Sequence, residues 1–204
     1  MSVGDTVVLT ASGRLVSFNR AAPGTEVGAI GVVGLAAGET LVGIDYRPAD
    51  SLLYALASSG KVYTVDPSTG VATLKSTLKA AAGDDSPFTA LAGTRFGVDF
   101  NPAADRLRVV SDTGQSLRIN VDTGDAITDR NIALAGGSAQ ISASAYTNAF
   151  AGADRRDRAV LAVLGIADQR RGNAARQYRR QPRVVADRPR GRPGAGPTRS
   201  PTAS

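Results

Sequence analysis

The chain has 204 residues, 42% of them hydrophobic, with a formal net charge of +6 and no histidine, cysteine or tryptophan. Without His or Cys, no Ser-His-Asp or Cys-His triad, imidazole zinc site, thiolate site or disulfide can be assembled, which excludes much of ordinary hydrolase chemistry. The charge is also uneven: residues 1–153 carry 11 basic and 14 acidic side chains, a net −3, whereas residues 154–204 carry 13 arginines, four aspartates and no lysine, a net +9.

Met1–Ala11 has no basic start and reads as a strand, not as a signal peptide. Ser12–Asn19 (SGRLVSFN) aligns with Ser59–Asp66 (SGKVYTVD), so the chain is expected to enter partway through a repeating unit whose last strand is Gly28–Gly34. The unit itself is plain further on. Leu41–Leu74 aligns without a gap on Arg95–Thr128 at a constant offset of 54, with nine identical pairs that include Gly43/Gly97, Asp45/Asp99, Pro48/Pro102 and Gly60/Gly114. Each copy divides into four strands, in the first copy Leu41–Tyr46, Leu52–Ala57, Lys61–Val65 and Val71–Lys75, separated by Pro-Ala-Asp, Ser-Ser-Gly and Pro-Ser-Thr-Gly. These are turn sequences, in which Gly supplies positive φ, Pro fixes φ, and Asp bonds back to the following backbone. Short strands at this spacing predict an all-β, propeller-like array of four-stranded antiparallel blades.

Between the copies, Lys79–Thr94 reads as a loop carrying Asp84 and Asp85; it is the best-placed surface contact and otherwise a solvated connection. Gln140–Asn148 (QISASAYTN) alternates like the first strand of another blade, and after Ala153 the pattern stops. The chain thus divides into an incomplete repeat domain, residues 1–153, and a basic Arg/Pro/Gly-rich tail, residues 154–204. The tail has little to bury and is expected to be disordered, apart from a short helix between Arg155 and Arg180. A G+C-rich coding sequence read in the wrong frame gives the same composition, and a frameshift near codon 153 explains the loss of repeat, the charge reversal and the absence of Lys together. The competing explanation is a genuine basic tail, and the downstream DNA decides between them. Ala159–Ala167 is the longest apolar run and is far short of a membrane span.

No catalytic residue is assigned. Asp45 and Asp99 occupy equivalent first-strand positions, and two readings of them stand. They converge as oxygen ligands on a hard cation such as Ca2+, or each bonds backbone amides or the neighbouring Arg47 or Arg106 to fix the turn before proline. Asp66–Gly70, Asn120–Gly124 and Asp122–Asp125 resemble calcium-loop fragments but lack the run of acids and the terminal Glu, so hairpin turns account for them. The paired glycines of Gly31–Gly38 and Gly93–Gly97 sit at strand ends, not before a helix as a phosphate loop would. The arginines of the tail predict salt-sensitive, non-specific attraction to nucleic acid, and Tyr178 is its sole aromatic.

The segments GLAAGETLVGIDYRPADSLLYAL, GKVYTVDPSTG, FGVDFNPAADRLRVVSDTGQSLRINVDTG and AYTNAFAG resemble a bacterial family known as domain of unknown function 4394, over about Leu9 to Gly152. The resemblance implies a propeller-type repeat, usually exported or envelope-associated, that continues with further strands after the Ala-Tyr-Thr-Asn element. It implies no activity. The expectation is a non-catalytic binding or scaffold module, with a calcium-dependent propeller hydrolase or lactonase using channel carboxylates as the alternative, and nucleic-acid binding through the tail as a third. An array lacking blades leaves open edges, so self-association is expected.

Overall fold

The computed structural model describes residues 1–134, 137–138, 141–146 and 159–160. Among these there is no helix, and the strands form antiparallel sheets in chain order. The first sheet is β1 (Thr6–Leu9), β2 (Arg14–Asn19) and β3 (Ala22–Gly31). The second is β4 (Leu41–Tyr46), β5 (Leu53–Ala57), β6 (Lys61–Val65) and β7 (Ala72–Thr77). The third takes β9 (Phe96–Asn101), β10 (Arg106–Ser111), β11 (Ser116–Ile119) and β12 (Asp125–Thr128), with β8 (Lys79–Ala80) along its outer edge. Two short pairs follow, β13 (Ala133–Leu134) with β14 (Gly137–Ser138) and β15 (Ala145–Tyr146) with β16 (Ala159–Val160).

The two aligned segments share backbone features at matching positions. Ser51 and Asp105, at matching positions of the two copies, both take positive φ, 59° and 49°, and so do Gly60 and Gly114 in the next turn, at 83° and 88°. A non-glycine residue in that region is uncommon, so its recurrence at offset 54 shows one turn geometry used twice. The strand alternation sorts side chains to two sides. Leu53, Ala55 and Ala57 of β5 pack with Leu15, Val7 and Ile30 of the first sheet, while Tyr54 and Leu56 pack with Phe100, Leu107 and Leu117 of the third. A strand covered on both faces reads as an unbroken apolar run, as LYALA does. A third, smaller cluster joins Val110 of β10 to Ile132 and Ile141.

One expectation about the units is corrected here. The unit of four antiparallel strands holds for the second sheet, and the first, expected to begin partway through a unit, has three strands, but the third has five. The fifth strand comes from Lys79–Thr94, whose first residues are not loop: β8 pairs in parallel with β12, Lys79 opposite Asp125 and Ala80 opposite Ala126. The same crossing occurs one unit earlier, where Val33 forms a parallel bridge to Val71. Each connection thereby covers the outer edge of the following sheet, which otherwise offers unpaired amides and carbonyls. In the tail, Ala159–Val160 pair with Ala145–Tyr146 as β16. The remainder of the tail lies outside the described residues, as does the frameshift argument built on it.

At the other edges, β4 lies against β1 and β9, and β9 also lies against β15. That contact positions the carboxylates considered next.

Candidate functional site

Asp45 sits on β4 opposite Tyr54, and Asp99 sits on β9 opposite Arg108. The Oδ2 atom of Asp45 accepts the backbone N–H of Phe100 at 2.7 Å, and Oδ2 of Asp99 accepts that of Tyr146 at 2.6 Å. Phe100 and Tyr146 each stand one residue after the position matching the aspartate in the following copy. The aspartate of one edge strand is therefore bonded to the next edge strand. Gly43 belongs to the same device: a Cβ there would collide with the side chain of Val98, and a Cβ on Gly97 would collide with the backbone of Ala143 and Ser144. The Gly-Ile/Val-Asp element lets one strand approach closely and then ties it.

The two carboxyl groups lie near enough for each to shift the other's protonation. Burial, and after it the negative charge of Asp45, pushes Asp99 up to about 7. Burial raises Asp45 as well, against the lowering pull of the Phe100 and Tyr46 amides. A pair of this kind holds a proton between its members up to near neutrality, because two adjacent buried carboxylates resist simultaneous ionisation. Chemically it can exchange a proton or contribute oxygens to a cation. Among the described residues, no group of three or more His, Cys, Asp or Glu is placed to hold a metal ion.

Neither Arg47 nor Arg106 is the partner of these aspartates, which corrects one version of the turn-fixing expectation. Arg106 donates to the carbonyls of Ala104 and Asp105 within its own turn. Arg47 leaves the β4–β5 turn altogether. Its guanidinium bonds Asp105 Oδ1 from Nε at 2.8 Å and Asp105 Oδ2 from Nη2 at 2.5 Å, and it reaches Asp122 Oδ2 at 2.8 Å. It also donates to Asp50 and to the Tyr54 hydroxyl, both at 3.2 Å, and its side chain is only 10% exposed. Lys75 adds a second cation 2.8 Å from Asp122. Arg47 first and Lys75 second draw Asp122 down to about 2, and the surrounding carboxylates raise Arg47 above its ordinary value. This knot ties the turns of the second sheet to those of the third.

The sequence carried a signal for the knot that turn grammar alone passes over. Asp105 and Asp122 stand where the first copy has Ser51 and Ser68, and Arg47 stands where the second has Asn101. Charges that differ between copies face one another across the junction. A second group, Glu39 with Lys61, Tyr63 and Ser59, closes the connection before β4; the Tyr63 hydroxyl donates to Glu39 at 2.5 Å, and Lys61 and Tyr63 bring Glu39 down to about 2. No turn motif marks Glu39.

The calcium-loop look-alikes are turns. Asp66 accepts the Ser68 amide at 2.8 Å and the Gly70 amide returns to its carbonyl at 2.7 Å, while Asn120 accepts the Asp122 amide at 3.1 Å. Asp84 fastens its connection to β12 by accepting the Thr128 amide at 2.7 Å, beside a hollow of about 280 Å3 that Asp85 also lines. A larger groove of about 560 Å3 opens on the second sheet, with Tyr46, Leu52, Pro67 and Val71 among its walls. No described helix is long and apolar enough to cross a membrane.

No curated protein and no solved structure matches the chain. A family model does, over residues 14–163, a span that holds both copies of the repeat, the aspartate pair, Arg47 and β16. The chain therefore belongs to the family described as Domain of unknown function (DUF4394).

Proposed function

We propose that the described region is a propeller-type array of β-blades that serves as a non-catalytic binding or scaffold module of an exported family. Stacked sheets with cores on both faces of β5, and the succession of β1, β4, β9 and β15 along one side, support the blade arrangement. One observation carries the non-catalytic part: Asp45 and Asp99, the buried acids that recur in both copies, are each engaged by the amide of the next edge strand. A carboxylate fixed to a neighbouring backbone is poorly free to attack or to move a proton to a substrate. The test is turnover of a panel of esters, lactones and phosphoesters with and without millimolar Ca2+, using wild type and Asp99→Asn. The expected outcome is no turnover; hydrolysis that chelation abolishes and Asp99→Asn removes, with melting unchanged, overturns the proposal.

The hydrolase reading has one observation in its favour, the proximity of the two buried carboxyls, each of which shifts the other's protonation, since a hard cation could take the proton's place. It requires Ca2+ to raise the melting temperature at pH 8 in the wild type and not in Asp99→Asn. Nucleic-acid binding through the tail rests on residues outside those described; deletion of residues 154–204 removes it without touching the sheets.

A further inference from the structure

The connections that lead into the second and third sheets differ in length. Val33 and Lys79 occupy matching places, since each pairs in parallel with the last strand of the next sheet, at Val71 and Asp125. From there the first connection runs to Val42 and the second to the matching Phe96, so the second carries eight residues more. The junction of the first two sheets closes without them, and the insertion is therefore not a requirement of the repeat. Insertions of this kind gather on one face of a repeat protein and often carry its function.

The inserted segment is seated against the sheets. Phe88 and Leu91 are half-buried against the core cluster shared by the second and third sheets, which includes Leu56, Leu78 and Leu117. The backbone beside them is gripped by one turn, Ser111–Gln115. The Gln115 side chain donates from Nε2 to the Ala90 carbonyl and accepts the Ala92 amide at Oε1, both at 2.9 Å, so its amide group stands in for the main chain of a pairing strand. Thr113 Oγ1 donates to the Ala92 carbonyl at 3.0 Å, and Asp112 accepts the Thr94 amide at 2.9 Å and the Thr94 hydroxyl at 2.7 Å. Gly93 permits the approach: its φ of 125° is one that side chains disfavour, and a Cβ there would meet Asp112 Oδ1. Each of these bonds has a side chain at one end and lies in exposed surroundings. Exposed side-chain bonds yield to local opening, whereas the ladder of a central strand opens with its sheet.

We infer that Ser86–Thr94 is a releasable strap, latched by Gln115, that lifts from the Ser111–Gln115 turn while both sheets stay folded and uncovers the apolar seat of Phe88 and Leu91. The inference uses only contacts within this junction and rests on neither the blade arrangement nor the non-catalytic reading.

Native-state amide exchange of the full chain tests it. Ala92 and Thr94 are expected to exchange at least about a hundredfold faster than Val109 and Leu117 of β10 and β11, at rates that low denaturant hardly changes, because a local opening exposes little surface. Gln115→Ala is expected to quicken Ala92 about tenfold, the worth of one or two hydrogen bonds. Gly93→Ala is expected to quicken both Ala92 and Thr94, and neither variant should move Val109 or Leu117. Exchange of Ala92 and Thr94 at the Val109 rate, rising equally with denaturant, overturns the inference, since the segment then opens only with the sheets. Exchange at the rate of an unstructured chain overturns it too, because nothing is then latched. So does a Gln115→Ala variant that quickens all four amides alike.

Discussion

The second and third sheets carry two segments that align over 34 residues, and they differ most where each meets the sheet before it. On the third sheet, Phe100 is sealed under Tyr54, Asp105 and Asp122 are gripped by Arg47, and the Ser76 hydroxyl reaches the Val121 carbonyl at 2.7 Å. On the second, the matching Tyr46 faces a groove, and Ser51 and Ser68 stand in place of the two acids. The strands are alike; the junctions are not. A repeat unit's own sequence sets its turns and register, whereas the worth of any one position depends on what the adjoining unit places against it.

Truncating the two matched aromatics should separate the junctions most strongly. Phe100→Ala is expected to cost about 3–5 kcal/mol, the usual range for a large buried side chain, and Tyr46→Ala less than about 1 kcal/mol. Chemical denaturation of both variants measures this, and equal losses would break the comparison. Arg47→Ala comes next. It leaves three acids, Asp50, Asp105 and Asp122, facing one another with only Lys75 nearby. Because those acids are partly exposed, about 2–3 kcal/mol is expected, below the range for a fully buried pair. Asn101→Ala, which removes only turn bonds to the Ala103 and Ala104 amides, should cost about 1 kcal/mol.

The glycines sharpen the point further. Gly97→Ala and Gly43→Ala should each cost about 1–3 kcal/mol, because the first meets the backbone of Ala143 and Ser144 and the second meets the Cβ of Val98, which no rotamer moves. Thermal melts of the two check this, and a neutral Gly43→Ala would mean that β4 and β9 can move apart.

The smallest effect expected is a pH dependence carried by the aspartate pair. Asp99 titrates near 7 in the folded chain against an ordinary value of 3.8, so the folded state holds a proton that the unfolded chain releases. Its contribution is therefore complete below about pH 4 and is lost as pH rises to about 7. Discounted for partial exposure, this amounts to about 1–2 kcal/mol, or roughly 3–6 °C of melting temperature between pH 5 and pH 8. Asp122, Glu39 and Asp66, all lowered to about 2, act in the opposite sense and withdraw their support as pH falls below about 4. Stability should peak between these windows, and Asp99→Asn should flatten the alkaline side only. A wild-type melting temperature that rises from pH 5 to pH 8 would contradict the shared proton.

Much of this was legible in the residues. The offset of 54, the recurring Pro-Ala-Asp and Thr-Gly turns and the apolar run LYALA fix strand order, register and burial on both faces, because each is a local property of backbone and side chain. Asp45 and Asp99 stood out for the same reason, as identical acids at identical positions. Their use did not, since their partners, the amides of Phe100 and Tyr146, lie 55 and 47 residues away. β8 was missed because two residues pairing in parallel across a crossover leave no alternation to detect.

The sequence by itself determined two aligned all-β segments with matching turns, a chemistry without imidazole or thiol, and membership of a family. Tertiary structure alone decided that Arg47 belongs to the next sheet's acids and that each recurring aspartate takes an amide of the next edge strand. The reason is one of range. Turns and alternation are settled over a few residues, but a hydrogen bond between distant strands exists only where folding brings the segments together.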